Sequence, residues 1–223
     1  MYKNLLFDLD GTLTNSEEGI TKCVQYGLQA VGIEEPDLKK LRSFIGPPLR
    51  ESYKKYFGLN ATQINAAVAA YRERYTNIGI WENEVYQGIP KLLQDLNAAG
   101  YNLGMCTGKP EIFAVRIAEK FMLNRYLKDI SGSALDGSTD EKKFVVAQSL
   151  KRLQLHTPDA LVQTILIGDR REDVIAAHSM GISCIGVGYG FARPNELKTA
   201  GADYYVETID ELRDFFLSEE SSL

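Results

Sequence analysis

The sequence predicts an α/β fold, a doubly wound and mostly parallel sheet with an all-helical domain inserted near its start. Three features of the chain predict this fold: short apolar runs bounded by turn residues, amphipathic stretches of helical length that alternate with them, and one long early segment with helical patterns only. Continuous apolar runs are typical of strands buried on both faces of a parallel sheet. Their alternation with helices is typical of Rossmann-like architecture.

The apolar runs and the amphipathic stretches can be placed in chain order. Strands are predicted over residues 4–7, 101–106, 164–167, 182–187 and 204–206. Helices are predicted between them over residues 89–99, 110–121, 142–153 and 171–180. The predicted helices are of the length that usually connects neighbouring parallel strands.

The segment from residue 16 to residue 85 interrupts this alternation. It carries helical patterns over residues 17–31, 37–43, 48–57 and 62–78, with turn signals at Gly32, Gly46 and Gly58 and no convincing strand. We therefore expect a helical domain over residues 16–85 and an α/β core domain made of residues 1–15 and 86–223.

Composition excludes several classes of protein. The 223 residues, 44% of them hydrophobic, suffice for one sizeable core, and a formal net charge of −5 without a basic face argues against nucleic-acid binding. No signal-peptide pattern and no apolar run of membrane-spanning length is present, so a cytoplasmic protein without membrane contact is expected. The three cysteines lack the spacing of a metal site or a disulfide framework and are expected to be buried thiols.

Chemically active residues follow the predicted strands. The carboxyl ends of parallel strands share one edge of the sheet, so these residues are expected to converge. They are Asp8, Asp10, Gly11 and Thr12 after the first strand, Thr107, Gly108 and Lys109 after the second, Asp169 and Asp173 after the run 164–167, and Lys142 at the start of a helix.

A carboxylate-rich site with nearby cations favours a particular chemistry. Hard carboxylate oxygens favour Mg²⁺, which usually binds through one or two carboxylates, waters and a substrate phosphate. With the metal, a lysine and backbone amides around a phosphoryl group, a carboxylate can act as the nucleophile and form an aspartyl-phosphate.

The ordered motifs resemble those of the haloacid dehalogenase superfamily. They are Asp8-Leu9-Asp10-Gly11-Thr12-Leu13, then Thr107, then Lys142, then Gly168-Asp169 through Asp173. Together they cover most of the chain in the order typical of that superfamily, and in combination they are highly specific.

The resemblance implies a role for each matching residue. Asp8 would attack phosphorus, and Asp10 would protonate the leaving oxygen and later take a proton from water. The Mg²⁺ site would consist of Asp8, the main-chain carbonyl of Asp10, and Asp169, with Asp173 supporting these ligands.

The resemblance also implies how phosphate is held. Thr107 and the adjacent main-chain amides, including that of Gly108, would bind phosphate oxygens, and Lys142 would neutralise Asp8 and the phosphoryl group. Lys143 is the alternative to Lys142, because register alone does not separate the two.

The helical insert is similar to the small cap of phosphoglycolate phosphatase-like and 5'-nucleotidase-like members. The match lies in residues 44–50, Phe-Ile-Gly-Pro-Pro-Leu-Arg, where Gly46 gives the backbone freedom and Arg50 offers a cation for substrate binding. Asn15 stands where many relatives have an acid, so the resemblance does not transfer substrate specificity.

The expected function is that of a Mg²⁺-dependent phosphatase acting on a small phosphomonoester such as phosphoglycolate, a nucleoside monophosphate or a sugar phosphate. A phosphosugar mutase of the β-phosphoglucomutase type is the alternative, since it uses the same aspartyl-phosphate. A non-catalytic regulatory module should have lost an acid or the lysine, and a dehalogenase would need neither Asp10 nor a metal. The glycine run at residues 186–190 is spaced unlike a dinucleotide-binding loop and is given no role.

Overall fold

The computed structural model describes residues 2–139 and 141–218. Within them the strands are β1 (Asn4–Phe7), β2 (Thr14–Asn15), β3 (Glu84–Val85), β4 (Asn102–Pro110), β5 (Asp129–Ser133), β6 (Thr164–Gly168), β7 (Ser183–Val187) and β8 (Tyr204–Val206). The α-helices are α1 (Glu17–Gln29), α2 (Leu38–Leu41), α3 (Leu49–Phe57), α4 (Ala61–Arg74), α5 (Ile89–Ala98), α6 (Glu111–Lys120), α7 (Lys142–Arg152), α8 (Pro158–Val162), α9 (Arg171–Ser179), α10 (Glu196–Ala200) and α11 (Ile209–Leu217).

The backbone divides into two compact units. One contains the residues up to Thr14 together with those from Val85 onwards, and the other is the segment Asn15–Glu84. The chain passes from one unit to the other at β2 and β3, which form a two-stranded sheet.

The α/β unit is built on a six-stranded sheet with the order β5-β4-β1-β6-β7-β8. Every neighbouring pair is parallel, and β1 lies between β4 and β6 with Asn4 opposite both Asn102 and Thr164. The side chains of Leu5 and Leu6 are fully buried, which explains the continuous apolar run of β1. The predicted α/β fold with a mostly parallel sheet is confirmed.

The order of the strands locates a crevice at the edge of the sheet. From β1 the chain continues to β4 on one side, whereas from β6 it continues to β7 on the other. Crossover connections that leave in opposite directions open a gap beyond the carboxyl ends of the two strands, and ligands bind there in sheets of this kind. The residues that follow β1 and β6 therefore occupy the favoured position for a binding site.

One strand of the sheet was missed in the sequence. Strand β5, with the sequence Asp-Ile-Ser-Gly-Ser, pairs with β4 at the edge of the sheet. Its one large apolar residue gives no apolar run, and it is specified by pairing with β4 and by packing against α6 and α7. The predicted strand 101–106 also ends too early, because β4 extends to Pro110 through a register shift after Thr107.

The helical unit consists of α1 to α4 and a following turn. The single helix expected over residues 62–78 is instead α4 followed by a π-helical turn over Tyr75–Gly79. Gly79 lies so close to α1 that a Cβ at this position would be 2.4 Å from the Sγ of Cys23. The segment expected to contain no strand ends in the two-residue strand β3.

All three cysteines are buried thiols that form no disulfide within the described residues, as expected. In the two described stretches, no helix combines the length and the apolar character that crossing a lipid bilayer requires.

Candidate active site

Three buried carboxylates converge at the ends of β1 and β6. Asp8 follows β1 directly, Asp169 follows β6, and Asp173 lies in the first turn of α9. One carboxylate oxygen of each residue lies within 4.8 Å of the corresponding oxygens of the other two. The structure therefore brings together the side chains of three of the four acids predicted for the metal site. The fourth, Asp10, was predicted to contribute its main-chain carbonyl.

The turn after β1 allows this approach. Gly11 has a φ of 85°, its N–H donates to the carbonyl of Thr14 at 2.8 Å, and the N–H of Leu13 donates to the carbonyl of Leu9 at 2.9 Å. A Cβ on residue 11 would lie 2.1 Å from the Oδ2 of Asp169. Only glycine fits both this left-handed conformation and this distance.

Lys142 contacts two of the three carboxylates. Its Nζ is 2.7 Å from the Oδ1 of Asp8 and 2.7 Å from the Oδ1 of Asp173, and its side chain is 9% exposed. The neighbouring Lys143 points away, pairs with Glu141 at 2.7 Å and has a side chain that is 44% exposed. Of the two lysines left open by the sequence, Lys142 is the one that contacts Asp8.

The electrostatics of the cluster are those of a crowded acidic site. Burial, and then the charges of Asp8 and Asp173, raise the pKa of Asp169 well above its usual value. Burial and the charge of Asp8 also raise the pKa of Asp173, although Lys142 opposes the shift. Burial acts to lower the pKa of Lys142, but Asp173 and Asp8 outweigh it and raise that pKa. The crowding thus disfavours the charged form of Asp169 and Asp173, whereas the nearby carboxylates favour the charged form of Lys142.

Asp10 has a cation of its own. The Nζ of Lys109, near the end of β4, lies 2.9 Å from the Oδ2 of Asp10, and both side chains are almost completely buried. The sequence predicts Lys109 at a strand end, but no role was expected for it, because a lysine close to a helix is usually solvated. Its contact with Asp10 depends on the parallel pairing of β1 with β4, which the sequence around Lys109 does not reveal.

Thr107 and Gly108 form the wall of the site at β4. Thr107 is buried, and its Oγ1 accepts a hydrogen bond from the N–H of Lys109 at 3.3 Å. The carbonyl of Gly108 accepts one from the hydroxyl of Ser133 at 2.8 Å. These contacts fix the backbone of the turn from two sides.

The loop after β7 contacts Asp169 and the turn after β1. The N–H of Phe191 donates to the Oδ2 of Asp169 at 2.6 Å, and the hydroxyl of Tyr189 donates to the carbonyl of Thr12 at 3.2 Å. A Cβ on Gly190 would lie 2.4 Å from the carbonyl oxygen of Gly11. Gly190, the last glycine of the run that was given no role, is therefore needed for close packing against both strand-end loops.

The other two predicted residues, Gly46 and Arg50, belong to the helical unit. Gly46 is exposed and has a φ of 102°. Arg50 is exposed at the start of α3, and its Nη1 donates to the Oδ1 of Asn65 at 2.8 Å.

The α/β residues fit a divalent cation. Asp8, Asp10, Asp169 and Asp173 carry four formal negative charges, and Lys109 and Lys142 offset two of them. Within the described residues, the Oδ1 of Asp169 is buried and has no hydrogen-bond partner. A buried oxygen of this kind is costly unless a ligand meets it, and a hard divalent cation matches both the charge and the donor type.

Comparison with known proteins places this geometry in a family. The model of the family described as haloacid dehalogenase-like hydrolase matches residues 5–187. The chain belongs to this family. The matched region contains every acid of the cluster and both of its lysines.

The relatives agree with this assignment. The chain is 42% identical over 212 residues to a 5'-nucleotidase of Pseudomonas aeruginosa, covering 95% of this chain and 94% of the relative. It is 35% identical over 212 residues to the tyrosine-protein kinase PtkA of Mycobacterium tuberculosis, covering 94% of this chain and 71% of the relative. A solved structure described as a predicted phosphatase from Clostridium acetobutylicum is 42% identical, with a TM-score of 0.91 and coverage of 96% and 97%.

The chain is a phosphatase of this haloacid dehalogenase-like family. The predicted family and the predicted enzyme class, a phosphoric monoester hydrolase, are confirmed.

Proposed function

We propose that this phosphatase is Mg²⁺-dependent and hydrolyses a small phosphomonoester through an aspartyl-phosphate on Asp8. The observation that carries the proposal is the position of Asp8, a buried carboxylate that shares Lys142 with Asp173 and lies beside Asp169. A nucleophile in such a site needs its negative charge offset before a phosphate dianion can approach. Lys142 offsets part of it, and a divalent cation held by Asp8 and Asp169 would offset the rest.

The proposed Mg²⁺ ligands are Asp8, the main-chain carbonyl of Asp10, and Asp169. Asp173 contacts the residues next to these ligands. When bound, Mg²⁺ supplies a Lewis acid that offsets the charge of the phosphoryl oxygens. The Oδ2 of Asp173 accepts from the N–H of Arg170 at 3.1 Å, and its Oδ1 lies beside Lys142. Asp173 thus fixes both the loop that carries Asp169 and the lysine that contacts Asp8.

The reaction is proposed to proceed in two displacements. Asp8 attacks phosphorus while Asp10 gives a proton to the departing oxygen, and the bond between phosphorus and that oxygen breaks. Water then attacks the phosphorus of the aspartyl-phosphate while Asp10 takes a proton from that water. The bond between Asp8 and phosphorus breaks, which releases inorganic phosphate and restores the Asp8 carboxylate. Thr107 and the main-chain N–H of Gly108 bind phosphate oxygens, and Lys142 neutralises developing charge near Asp8.

The helical unit is proposed to choose among substrates. The residues of the α/β site recognise a phosphoryl group, whereas Gly46 and Arg50 are candidates for recognising the group that carries it. Because the P. aeruginosa relative is named a 5'-nucleotidase, nucleoside monophosphates are the first class to test, followed by phosphoglycolate and sugar phosphates.

The experiment is a measurement of inorganic phosphate released by the purified chain from each of these compounds, with and without added Mg²⁺. We expect release that depends on Mg²⁺ and strongly favours one class. Conversion of a sugar phosphate into an isomer without release of phosphate would instead show a mutase. Absence of both products from every compound would contradict the proposal.

A further inference from the structure

The contact between Lys109 and Asp10 is an internal ion pair, not a surface contact. The two charged atoms are 2.9 Å apart, and the side chains of Lys109 and Asp10 are 4% and 10% exposed. Strands β4 and β1, which carry these residues to the site, are neighbours in the sheet, with Phe7 opposite Met105.

The backbone around Lys109 is held in place. Its N–H donates to the Oγ1 of Thr107, and the preceding carbonyl of Gly108 accepts from Ser133. A Cβ on Gly132 would lie 2.6 Å from the carbonyl oxygen of Lys109, so β5 approaches this turn very closely. The position of the lysine is therefore determined by two neighbouring segments of the chain.

An ion pair of this kind is a poor device for stability. Removing two charges from water costs free energy that their attraction repays only in part, and well-packed apolar residues often serve stability equally well. In the described residues, the backbone at the end of β4 is already held by Thr107 and Ser133 and does not require a buried ammonium group. The pair is better explained by what it does to Asp10.

The two oxygens of Asp10 have different surroundings. Oδ2 contacts Lys109, whereas Oδ1 is buried and has no hydrogen-bond partner among residues 2–139 and 141–218. A carboxylate held by one oxygen cannot rotate freely about its terminal bond, so the other oxygen is kept in one orientation. Oδ1 is thus the oxygen left available for a ligand.

We propose that Lys109 is a positioning residue that orients Asp10 for proton transfer at Oδ1. The inference rests on the proposed function, in which Asp10 is the general acid and base. Oδ1 gives its proton to the leaving oxygen as the bond from Asp8 to phosphorus forms, and it takes a proton from water as that bond breaks. Lys109 keeps its protons in both steps, and Lys142 serves Asp8 and Asp173 separately.

The dependence on the leaving group tests this role. An alkoxide must be protonated as it departs, whereas the nitrophenolate of para-nitrophenyl phosphate departs with little help. The measurement is kcat/KM, which reports the first displacement, for an alkyl phosphomonoester and for para-nitrophenyl phosphate. General acid catalysis contributes about 10²–10⁴-fold to rate, so Lys109→Met should reduce the alkyl value at least roughly tenfold more than the nitrophenyl value.

A double-mutant cycle with Asp10→Asn separates positioning from a general effect. In the Asp10→Asn background, Lys109→Met should change kcat/KM for the alkyl substrate by less than about threefold, because its partner is already lost. Lys109→Arg, which keeps the charge, should leave the ratio of the alkyl to the nitrophenyl kcat/KM close to that of the wild type. Lys143→Met is the matched control, since this exposed lysine contacts Glu141.

Several results would overturn the inference. Equal losses on both substrates, or a full additional loss in the Asp10→Asn background, would show that Lys109 acts on something other than Asp10. Failure of both Lys109→Met and Lys109→Gln to fold would assign the residue to the fold. If Asp10→Asn reduces kcat/KM equally for the alkyl and the nitrophenyl substrate, the assignment of Asp10 in the proposed function fails. If Asp10→Asn reduces the alkyl value more than the nitrophenyl value but Lys109→Met does not, only the inference about Lys109 fails.

Discussion

Asp8 and Asp173 share one ammonium group, that of Lys142, and this sharing explains why two adjacent lysines have different importance. Lys142→Ala removes the only charge that contacts both carboxylates in the described residues, with Nζ–O distances of 2.7 Å each. Loss of such a group from a buried reaction site costs about 10²–10³-fold in kcat. We expect a loss of that size for Lys142→Ala.

Lys143→Ala is the matched comparison at the residue scale. Its exposed contact with Glu141 is worth little, so kcat should remain within about twofold of the wild type. Steady-state kinetics on both variants, with circular dichroism as the check on folding, give the ranking. The opposite ranking would show that Lys143 is the functional lysine and that the contact of Lys142 has no catalytic role.

At the scale of elements, α10 holds the start of α9 through one side chain. The Oε1 of Glu196 lies 2.9 Å from the Nε of Arg170 and accepts from the N–H of Arg171 at 3.1 Å, and its Oε2 accepts from the N–H of Arg193 at 3.1 Å. Arg170 follows Asp169 directly. Glu196 therefore stabilises the segment that carries two acids of the proposed metal site.

Glu196→Ala should consequently lower stability and weaken Mg²⁺ binding together. Removing one partner of a buried ion pair costs about 3–5 kcal/mol of unfolding free energy. Urea denaturation measures this free energy, and titration of activity with Mg²⁺ measures the second effect. Lys198→Ala, an exposed change in the same helix, should alter stability by no more than about 0.5 kcal/mol. A Glu196→Ala protein as stable as the Lys198→Ala protein would contradict this view of α10.

The same elements show what the sequence could and could not predict. Strand β1 and the acids after it were predictable, because a continuous apolar run followed by Asp8 and Asp10 is a local pattern. Strand β5 was not, since its Ser and Gly residues are held by neighbours distant in the chain. The contact of Lys109 with Asp10 depends on strand order and on a turn held by Ser133, and neither is encoded near Lys109.

At the scale of the whole molecule, substrate selection is expected to divide between the two units. Arg50→Ala, in the helical unit, should reduce kcat/KM for the best natural substrate by roughly tenfold more than for para-nitrophenyl phosphate, equivalent to about 1.4 kcal/mol of specific binding. Lys39→Ala, another exposed cation of that unit, is the control and should leave both values unchanged. Equal losses on both substrates in Arg50→Ala would remove the assignment of specificity to this residue.

The charge balance of the α/β unit predicts dependence on a divalent cation. EDTA should abolish phosphate release, and Mg²⁺ should restore it. Ca²⁺ should restore little of the phosphate release, because its larger and looser coordination shell misplaces the nucleophile and the phosphate.

Since Mg²⁺ is expected to bind the folded chain, it should also raise the midpoint of thermal unfolding, and Asp169→Asn should abolish that rise. Full activity in EDTA, or an unfolding midpoint that does not respond to Mg²⁺, would contradict the proposed metal site.

The central claim, that Asp8 carries the phosphoryl group during turnover, is tested most directly by rapid acid quench followed by mass spectrometry. In the wild-type protein we expect a transient mass gain of one phosphoryl group that maps to Asp8. We also expect no such species and no turnover in Asp8→Asn, whose amide is nearly isosteric but cannot displace an alkoxide from phosphorus. A phosphoryl group mapped to another residue, or an Asp8→Asn protein that keeps even about a tenth of wild-type turnover, well above the losses of 10³-fold or more typical of a removed nucleophile, would contradict it.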